Sequence, residues 1–301
     1  MRARNAGPDG VLLLDKPAGA TSTRALARAK RALGSLKGGH TGTLDPFATG
    51  LLPLVFGEAT KFSRFLIDAR KAYDATLRLG EETATGDTEA DVSRQSPVDV
   101  DLRRIDQVLA SFVGHQDQVP PMHSAVRIEG RRLYDLARSG QHVERPARRI
   151  EIRALERLGF DGRDLRVRVE CSKGTYVRTL GQDVGAALGC GAHLVQLRRT
   201  AVGDLRLAEA VSFETLEAEG IEGARAHLLP TEVLVAALPR LDASPEEATR
   251  FMHGRVLIGA GEDGLDMAVF SPDGQFLGVG RGTAGGLAPA RLIATAGVRV
   301  P

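Results

Sequence analysis

The chain has little cysteine, few aromatic residues and no long apolar run. Among its 301 residues there are two cysteines, Cys171 and Cys190, which alone complete neither a disulfide framework nor a zinc site. Both are therefore predicted to be reduced, buried thiols. No segment approaches the roughly 18 apolar residues of a membrane-spanning helix, and the N-terminus lacks the apolar stretch of a secretory signal. We expect a cytoplasmic protein that does not enter a membrane.

The formal net charge is only +2, so the overall charge does not identify a partner. The charges are nevertheless unevenly distributed. Residues 21–40 carry five basic and no acidic side chains, and residues 127–149 carry seven arginines against three acids. Between them, residues 81–106 hold eight acids against three arginines. A charged run is more often a solvated surface than a binding site, but the forked donors of arginine suit phosphates and bases, which favours an RNA partner.

The densest local signal is residues 38–53, where a single carboxylate, Asp45, lies among four glycines, three threonines and two prolines. Such a density of glycine marks a loop whose backbone either approaches another group closely or adopts positive φ angles. Pro46 limits the backbone of Asp45 to extended conformations and so helps to fix the direction of its side chain. On the pattern alone, an ordinary surface turn is an equally good interpretation.

The sequence Gly-His-Thr-Gly-Thr-Leu-Asp-Pro at residues 39–46 resembles the catalytic motif of the TruB-type tRNA pseudouridine synthases. Three further blocks resemble that family in the same order, and together the four blocks extend from residue 10 to residue 200. They are residues 10–19, residues 71–80, and residues 171–180 with 191–193 and 197–199. The resemblance implies isomerisation of the uridine at position 55 in the T arm of tRNA, a reaction that needs no cofactor and no metal.

The resemblance also implies the catalytic residues. Asp45 would be the nucleophile, because a carboxylate can form a covalent adduct at a sugar carbon or at an electron-poor base carbon. Arg178 would pair with Asp45 and keep it ionised. Tyr73 would be the surface on which the flipped-out base stacks, offsetting part of the cost of unstacking it. Outside the family motif, Arg178 would be interpreted as a surface arginine and Tyr73 as a core aromatic.

Four further residues are implied to contact the substrate or to support the site. Tyr176 would orient groups near the Asp45 pair, and Leu197 would pack on the other face of the base. His40 would help to hold the flipped-out RNA without moving a proton. Lys16 would support the floor of the active site or bind a phosphate. His123 stands where the family pattern has tyrosine, and no role is assigned to it.

The order of apolar strands and amphipathic helices predicts an α+β fold with a mixed, largely antiparallel sheet. Residues 1–238 would form the catalytic domain, with an RNA-binding arm inserted at 117–149. Residues 239–301 would form a small β-rich, PUA-like RNA-binding domain. The predicted helices are residues 22–33, 58–69, 102–112, 131–138, 176–188 and 246–252. The predicted strands are residues 11–14, 72–79, 149–155, 165–169, 194–202, 251–257, 267–270 and 276–280, and residues 80–100 are predicted to be a loop.

Other functions stay open at this point. An RNA-binding or tRNA-folding protein with secondary catalysis would fit the same fold, although the intact set of Asp45, Tyr73 and Arg178 favours an enzyme. The related synthases that use a guide RNA lack the long arm, so no guide RNA is expected. A glycoside hydrolase would need a second carboxylate near Asp45, which the motif does not offer. We expect a monomer whose partner is the T arm of tRNA.

Overall fold

The computed structural model describes residues 7–122 and 143–293, together with the backbone pairing of residues 127–128 and 131–132. Within these ranges, no helix combines the length and the apolar character needed to cross a membrane. Cys171 and Cys190 are both free and buried, as predicted. His123 and most of the predicted arm lie outside the described residues.

Seventeen strands are described. They are β1 (Gly10–Lys16), β2 (Gly38–His40), β3 (Thr49–Phe56), β4 (Lys71–Leu79), β5 (Glu81–Thr83), β6 (Val92–Gln95), β7 (Gly114–Gln118), β8 (Arg127–Ile128), β9 (Arg131–Arg132), β10 (Arg148–Phe160), β11 (Asp164–Cys171), β12 (Ala192–Val202), β13 (Leu205–Arg206), β14 (Arg240–Asp242), β15 (Asp266–Phe270), β16 (Phe276–Thr283) and β17 (Gly286–Leu292).

The helices of the described ranges are mostly short. The α-helices are α1 (Ser22–Ala32), α2 (Ser63–Ile67), α3 (Leu102–Ser111), α4 (Val177–Leu188), α5 (Phe213–Ala218), α6 (Gly220–Ala226) and α7 (Pro245–Met252). Single 3-10 segments cover Gly57–Phe62, Leu207–Glu209 and Thr231–Val235.

Nine strands form the main sheet. Seven lie in the order β1-β3-β12-β4-β11-β10-β7, while β2 pairs with β3 and β13 pairs with β12. The β12–β3 pair is parallel and the other pairs of this sheet are antiparallel. The second sheet has four strands in the order β14-β15-β16-β17. The predicted α+β class, with a mixed and largely antiparallel sheet followed by a β-rich C-terminal region, is confirmed.

Helix α1 shows how the local sequence sets an element beside the site. The Thr21 side chain caps its N-terminus by accepting a hydrogen bond from the Arg24 amide. Ala25 and Ala29 are buried, one turn apart on the same face, so the helix packs tightly against the sheet. Gly34, with a φ of 60°, follows the helix in the left-handed conformation that glycine adopts without penalty.

The two sheets share a hydrophobic cluster. Val11 of β1 and Phe62 belong to the same buried cluster as Phe276 and Val279 of β16. The rings of Phe62 and Phe276 meet edge to face with centroids 5.1 Å apart. The C-terminal sheet also has a smaller core of its own around Phe251. The boundary at residues 238/239 stays a prediction.

Four local predictions were wrong. The helix expected at 58–69 is a 3-10 segment followed by the short α2, and neither has a side-chain cap to start a regular helix. The predicted loop at 80–100 contains the β5–β6 hairpin, whose strands are too short to show a period. The segment 131–138, expected to be helical, begins with β9 paired to β8. Finally, 251–257 is no strand, because α7 continues to Met252 and only Leu257 makes an isolated bridge.

Candidate active site

The loop that carries Asp45 is anchored by neighbouring elements on both sides of that residue. Ser22, the first residue of α1, donates to the carbonyl of Leu44 at 3.0 Å and accepts from the Leu44 amide at 2.8 Å. The carbonyl of Pro46 accepts from the Gly19 amide at 2.8 Å. The backbone on either side of Asp45 is therefore fixed, and the carboxylate projects from a held position.

Asp45 forms a two-pronged ion pair with Arg178. The Arg178 Nε lies 2.9 Å from Asp45 Oδ2, and a terminal guanidinium nitrogen donates to Oδ1 at 3.4 Å. Arg178 comes from α4, far along the chain, and its side chain is only 4% exposed, whereas that of Asp45 is 32% exposed. The arginine is thus part of the protein interior, while the carboxylate keeps an open side.

A second, fully buried carboxylate holds the same guanidinium. Asp87 Oδ2 lies 3.2 Å from Arg178 Nη1, and the side chain of Asp87 is 0% exposed. The other oxygen of Asp87 accepts from the Thr85 hydroxyl at 2.5 Å and from the Glu89 amide at 3.0 Å. The Thr85 carbonyl also accepts from Arg178 at 3.2 Å. Arg178 is therefore clamped between a buried turn on one side and Asp45 on the other.

Opposing influences act on the charge of Asp45. Burial is the largest and raises the pKa of its carboxyl, and Asp87 acts in the same direction. The charge of Arg178, its hydrogen bond and the charge of Lys16 lower the pKa, but the net direction is upward. Asp45 is consequently a stronger base than an exposed aspartate.

Lys16 lies below the loop at the end of β1. It is 0% exposed, and its ammonium donates to the carbonyls of Pro17, Ala20 and Pro46 at 2.9, 2.7 and 3.3 Å. Burial is the main reason why its pKa falls to about 8. All three donors are already used on the backbone, which fits the floor of the site and not a phosphate contact.

Tyr73 and Leu197 stand on neighbouring strands, β4 and β12. In the register of the sheet Tyr73 is the partner of Arg199, and Leu197 is the partner of Ala75. Both side chains are largely buried. Burial raises the pKa of the Tyr73 phenol to about 12, so the phenol is neutral at physiological pH. The sheet therefore brings the aromatic and the aliphatic side chain close together.

His40 is the last residue of β2, and Tyr176 precedes α4. Burial first, and then the charge of Arg199, lower the pKa of His40, which favours the neutral imidazole. Tyr176 is the residue immediately before α4, two positions before Arg178. The side-chain nitrogen of Gln118 donates to the backbone carbonyl of Tyr176 at 3.1 Å. The side-chain oxygen of Gln118 accepts from the backbone N–H of Tyr176 at 2.8 Å. The start of the helix that carries Arg178 is thereby tied to the end of β7.

Sequence reasoning missed Asp87, Arg199 and Gln118. Asp87 was one of eight acids in a segment that was interpreted as a loop, and a Thr-Gly-Asp turn was the only local signal. Arg199 lay inside a matched block without an assigned role. Gln118 stood just before the Val-Pro-Pro segment of the arm. In the described ranges, no three side chains of the types His, Cys, Asp and Glu are grouped so that they could hold a metal ion.

The fold is similar to that of chains found in H/ACA RNP structures. A chain from the crystal structure of the archaeal box H/ACA sRNP Nop10-Cbf5 complex superposes with a TM-score of 0.73 and 25% identity, covering 96% of this chain and 87% of that one. A chain from the structure of an H/ACA RNP bound to a substrate RNA containing 2'-deoxyuridine gives a TM-score of 0.75 and 26% identity, covering 95% and 85%.

Family comparisons define the class. The N-terminal domain of TruB family pseudouridylate synthases matches residues 30–177. The tRNA pseudouridylate synthase B C-terminal domain matches residues 178–236, and the pseudouridine synthase II TruB C-terminal region matches residues 239–293. With the Asp45–Arg178 pair between a loop and helix α4, the chain has the fold and the motifs of a pseudouridine synthase, an isomerase.

The relatives identify the family within that class. A protein named tRNA pseudouridine synthase B from Azoarcus sp. (strain BH72) is 51% identical over 287 residues, which is 95% of each chain. A protein of the same name from Cupriavidus pinatubonensis is 50% identical over 295 residues, covering 94% of each chain. The chain belongs to the TruB family of pseudouridylate synthases.

Proposed function

We propose that the protein isomerises uridine to pseudouridine at position 55 in the T loop of tRNA, acting on a base flipped out of the RNA. The observation that carries the proposal is the Asp45–Arg178 ion pair at 2.9 Å, which joins the predicted nucleophile to the arginine predicted to keep it ionised. The names of the relatives from Azoarcus and Cupriavidus support tRNA as the substrate class.

The chemistry is an exchange of one bond for another. The bond between N1 of uracil and C1′ of the ribose breaks, a bond between C5 and C1′ forms, the proton on C5 leaves, and N1 gains a proton. No electrons are gained or lost, so the reaction is balanced without a co-reactant. Asp45 supplies the nucleophile that makes the covalent intermediate. Arg178 keeps Asp45 ionised and aimed although burial raises the pKa of that carboxyl.

The remaining side chains receive the base. Tyr73 stacks on one face of the uracil, and Leu197 packs on the other, which together offset part of the few kcal/mol that extrusion costs. Tyr176 orients groups next to the Asp45–Arg178 pair. His40 holds the RNA from which the base was taken and stays neutral. Lys16 fixes the floor through its three carbonyl contacts.

The wider organisation belongs to the same proposal. Residues 1–238 are the catalytic domain, 117–149 is the arm that folds over the T arm, and 239–301 is a PUA-like RNA-binding domain. The protein works as a monomer in the cytoplasm, and it needs no guide RNA.

The test is release of tritium from an unmodified tRNA transcript made with 5-tritiated uridine. Purified wild-type protein alone, without guide RNA, is expected to release one equivalent per tRNA. A transcript with cytidine at position 55 is expected to release none. Asp45→Asn is expected to abolish release while still binding tRNA. Asp204→Asn, which alters an exposed turn carboxylate, serves as the matched control and is expected to behave like the wild type.

Two results would contradict the proposal. Release from the cytidine-55 transcript would show that another uridine is the target. Tight binding of tRNA by the wild type without any release would instead favour a protein that binds or folds tRNA.

A further inference from the structure

Arg199, the largest of the fully buried side chains in the described part of the chain, has no role in the reaction as described above. It is 1% exposed and lies in β12. In the register of the sheet it is the partner of Gly50 on one side and of Tyr73 on the other. Its backbone therefore separates the strand that leaves the Asp45 loop from the strand that carries the stacking tyrosine.

The close approach at Gly50 is specific. A Cβ atom on Gly50 would lie 2.4 Å from the Arg199 carbonyl oxygen and 2.8 Å from its amide nitrogen. Gly50 also has a φ of 97°, which side-chain-bearing residues rarely adopt. The glycine at the end of the loop is thus required for the loop to meet β12 at Arg199.

The side chain of Arg199 then turns back to the loop and binds it at two points. Its Nε donates to the carbonyl of Leu51 at 2.7 Å, and a terminal nitrogen donates to the carbonyl of Gly42 at 3.2 Å. These two carbonyls lie on either side of Asp45 in the chain. A single guanidinium therefore joins the beginning of the loop to its end.

Burying the charge of Arg199 is energetically unfavourable, so stability alone does not explain an arginine at this position. In the described part of the chain, its polar contacts are these two carbonyls and the Tyr73 phenol, and no carboxylate forms an ion pair with it. Removing a guanidinium from water without a counter-charge costs free energy that apolar residues of similar size would not. The planar fork of arginine carries donors that point in fixed and different directions, so one guanidinium can bind both carbonyls with a defined geometry.

We propose that Arg199 is a positioning residue for the isomerisation: it cross-links the two ends of the Asp45 loop and holds that loop at a fixed distance from Tyr73. The inference rests on the proposed function, because the distance between nucleophile and stacking platform matters only if a base is clamped between them. A displacement of about 1 Å of a reacting group is enough to slow a reaction by about 10²-fold.

The experiment uses the full-length protein with Arg199→Met, which keeps an unbranched stem but removes the donors and the charge, and Arg199→Lys, which keeps the charge but not the fork. The matched control is Arg157→Met, which breaks an exposed ion pair with Asp106. Three quantities are measured for each: hydrogen exchange of the peptide covering residues 42–51, the single-turnover rate of tritium release, and the Kd for tRNA.

For Arg199→Met we expect faster exchange confined to residues 42–51 and a rate about 10²-fold lower, with a Kd for tRNA unchanged within about threefold because no RNA contact is removed. Arg199→Lys should lie between Arg199→Met and the wild type, and Arg157→Met should match the wild type. Unchanged exchange at 42–51 would overturn the inference, whatever the activity. So would a looser loop that reacts at the wild-type rate, or faster exchange throughout the main sheet. A wild type that releases no tritium would refute the proposed function, while the exchange result would still decide whether Arg199 holds the loop.

Discussion

Replacing Asp87 by asparagine tests whether Asp45 depends on the charges behind it. The substitution leaves the shape of the side chain almost unchanged and retains an oxygen for the Thr85 hydroxyl and the Glu89 amide. What it removes is the negative charge 3.2 Å from Arg178. The guanidinium then keeps Asp45 as its partner in the described site, but it loses the fully buried anchor on its opposite side.

The size of the effect follows from the geometry. Two unit charges about 4 Å apart attract by about 4 kcal/mol at an effective dielectric constant of about 20. Breaking a buried ion pair costs about 3–5 kcal/mol. Because Arg178 still has Asp45, we expect a loss near the lower end, about 3 kcal/mol of unfolding free energy. The guanidinium is no longer held from behind, so the single-turnover rate should fall by about 10²-fold.

The acid limb of the pH–rate profile gives an independent readout. The charge of Asp87 raises the pKa of Asp45, so its removal should lower that pKa and move the limb toward lower pH. Denaturant unfolding measures the loss of unfolding free energy. Single-turnover tritium release between pH 5 and pH 8 measures the fall in rate and the position of the acid limb. Asp91→Asn, in the exposed part of the same acidic segment, is the control. A folded Asp87→Asn protein with a wild-type rate and an unmoved limb would refute the reasoning.

Three further predictions concern the same region. Burial raises the folded-state pKa of Asp45, so ionisation of this carboxyl opposes folding. Asp45→Asn should therefore have a higher melting temperature than the wild type at pH 7.5, and the difference should disappear near pH 4. A lower melting temperature of Asp45→Asn at pH 7.5 would contradict this. Gln118→Met should cost about 1–3 kcal/mol of unfolding free energy, because the amide and carbonyl of Tyr176 lose their partner, and an unchanged denaturation midpoint would refute it. Burial lowers the folded-state pKa of Lys71 to about 8, below its value in the unfolded chain. The unfolding free energy of the wild type should therefore rise from pH 8 to pH 9 relative to that of Lys71→Met. Parallel curves of unfolding free energy against pH for the two proteins would exclude the lowered pKa.

The regular elements were predictable because each has a local signal. Helix α1 has a capping threonine at its start and a glycine after its end, and β4 shows a strand pattern over nearly its whole length. The wrong assignments lack such signals. Strand β5 has three residues, which is too few to show a period, and the segment from Gly57 to Ile67 contains two helix types that share a single apolar pattern.

The residues of the candidate site to which the family motifs give a role were predicted, and several residues that support them were missed. Asp45 and Arg178 lie in motifs that a family resemblance can identify, and the structure brings them to 2.9 Å. The residues that support these two, Asp87 and Arg199, are brought to the site only by the folding of the chain. Asp87 comes from a polar turn, and Arg199 from a strand whose register with Gly50 no sequence pattern specifies. A buried charge is indistinguishable from an exposed one in a sequence, because charge content does not record depth.

The arrangement of charges around the loop explains how Asp45 could be both fixed in place and the nucleophile of the proposed reaction. Lys16 and Arg199 contact the backbone of the loop, so two buried cations hold the chain without neutralising the carboxylate directly. Within the described residues, Arg178 is the side chain that forms an ion pair with the Asp45 carboxylate, and it also forms one with Asp87. If all of that charge acted on Asp45, its pKa would fall and its oxygens would be weaker nucleophiles. In the proposed reaction, Asp87 would therefore do more than hold Arg178 in place, because by sharing the guanidinium it would leave Asp45 basic enough to attack.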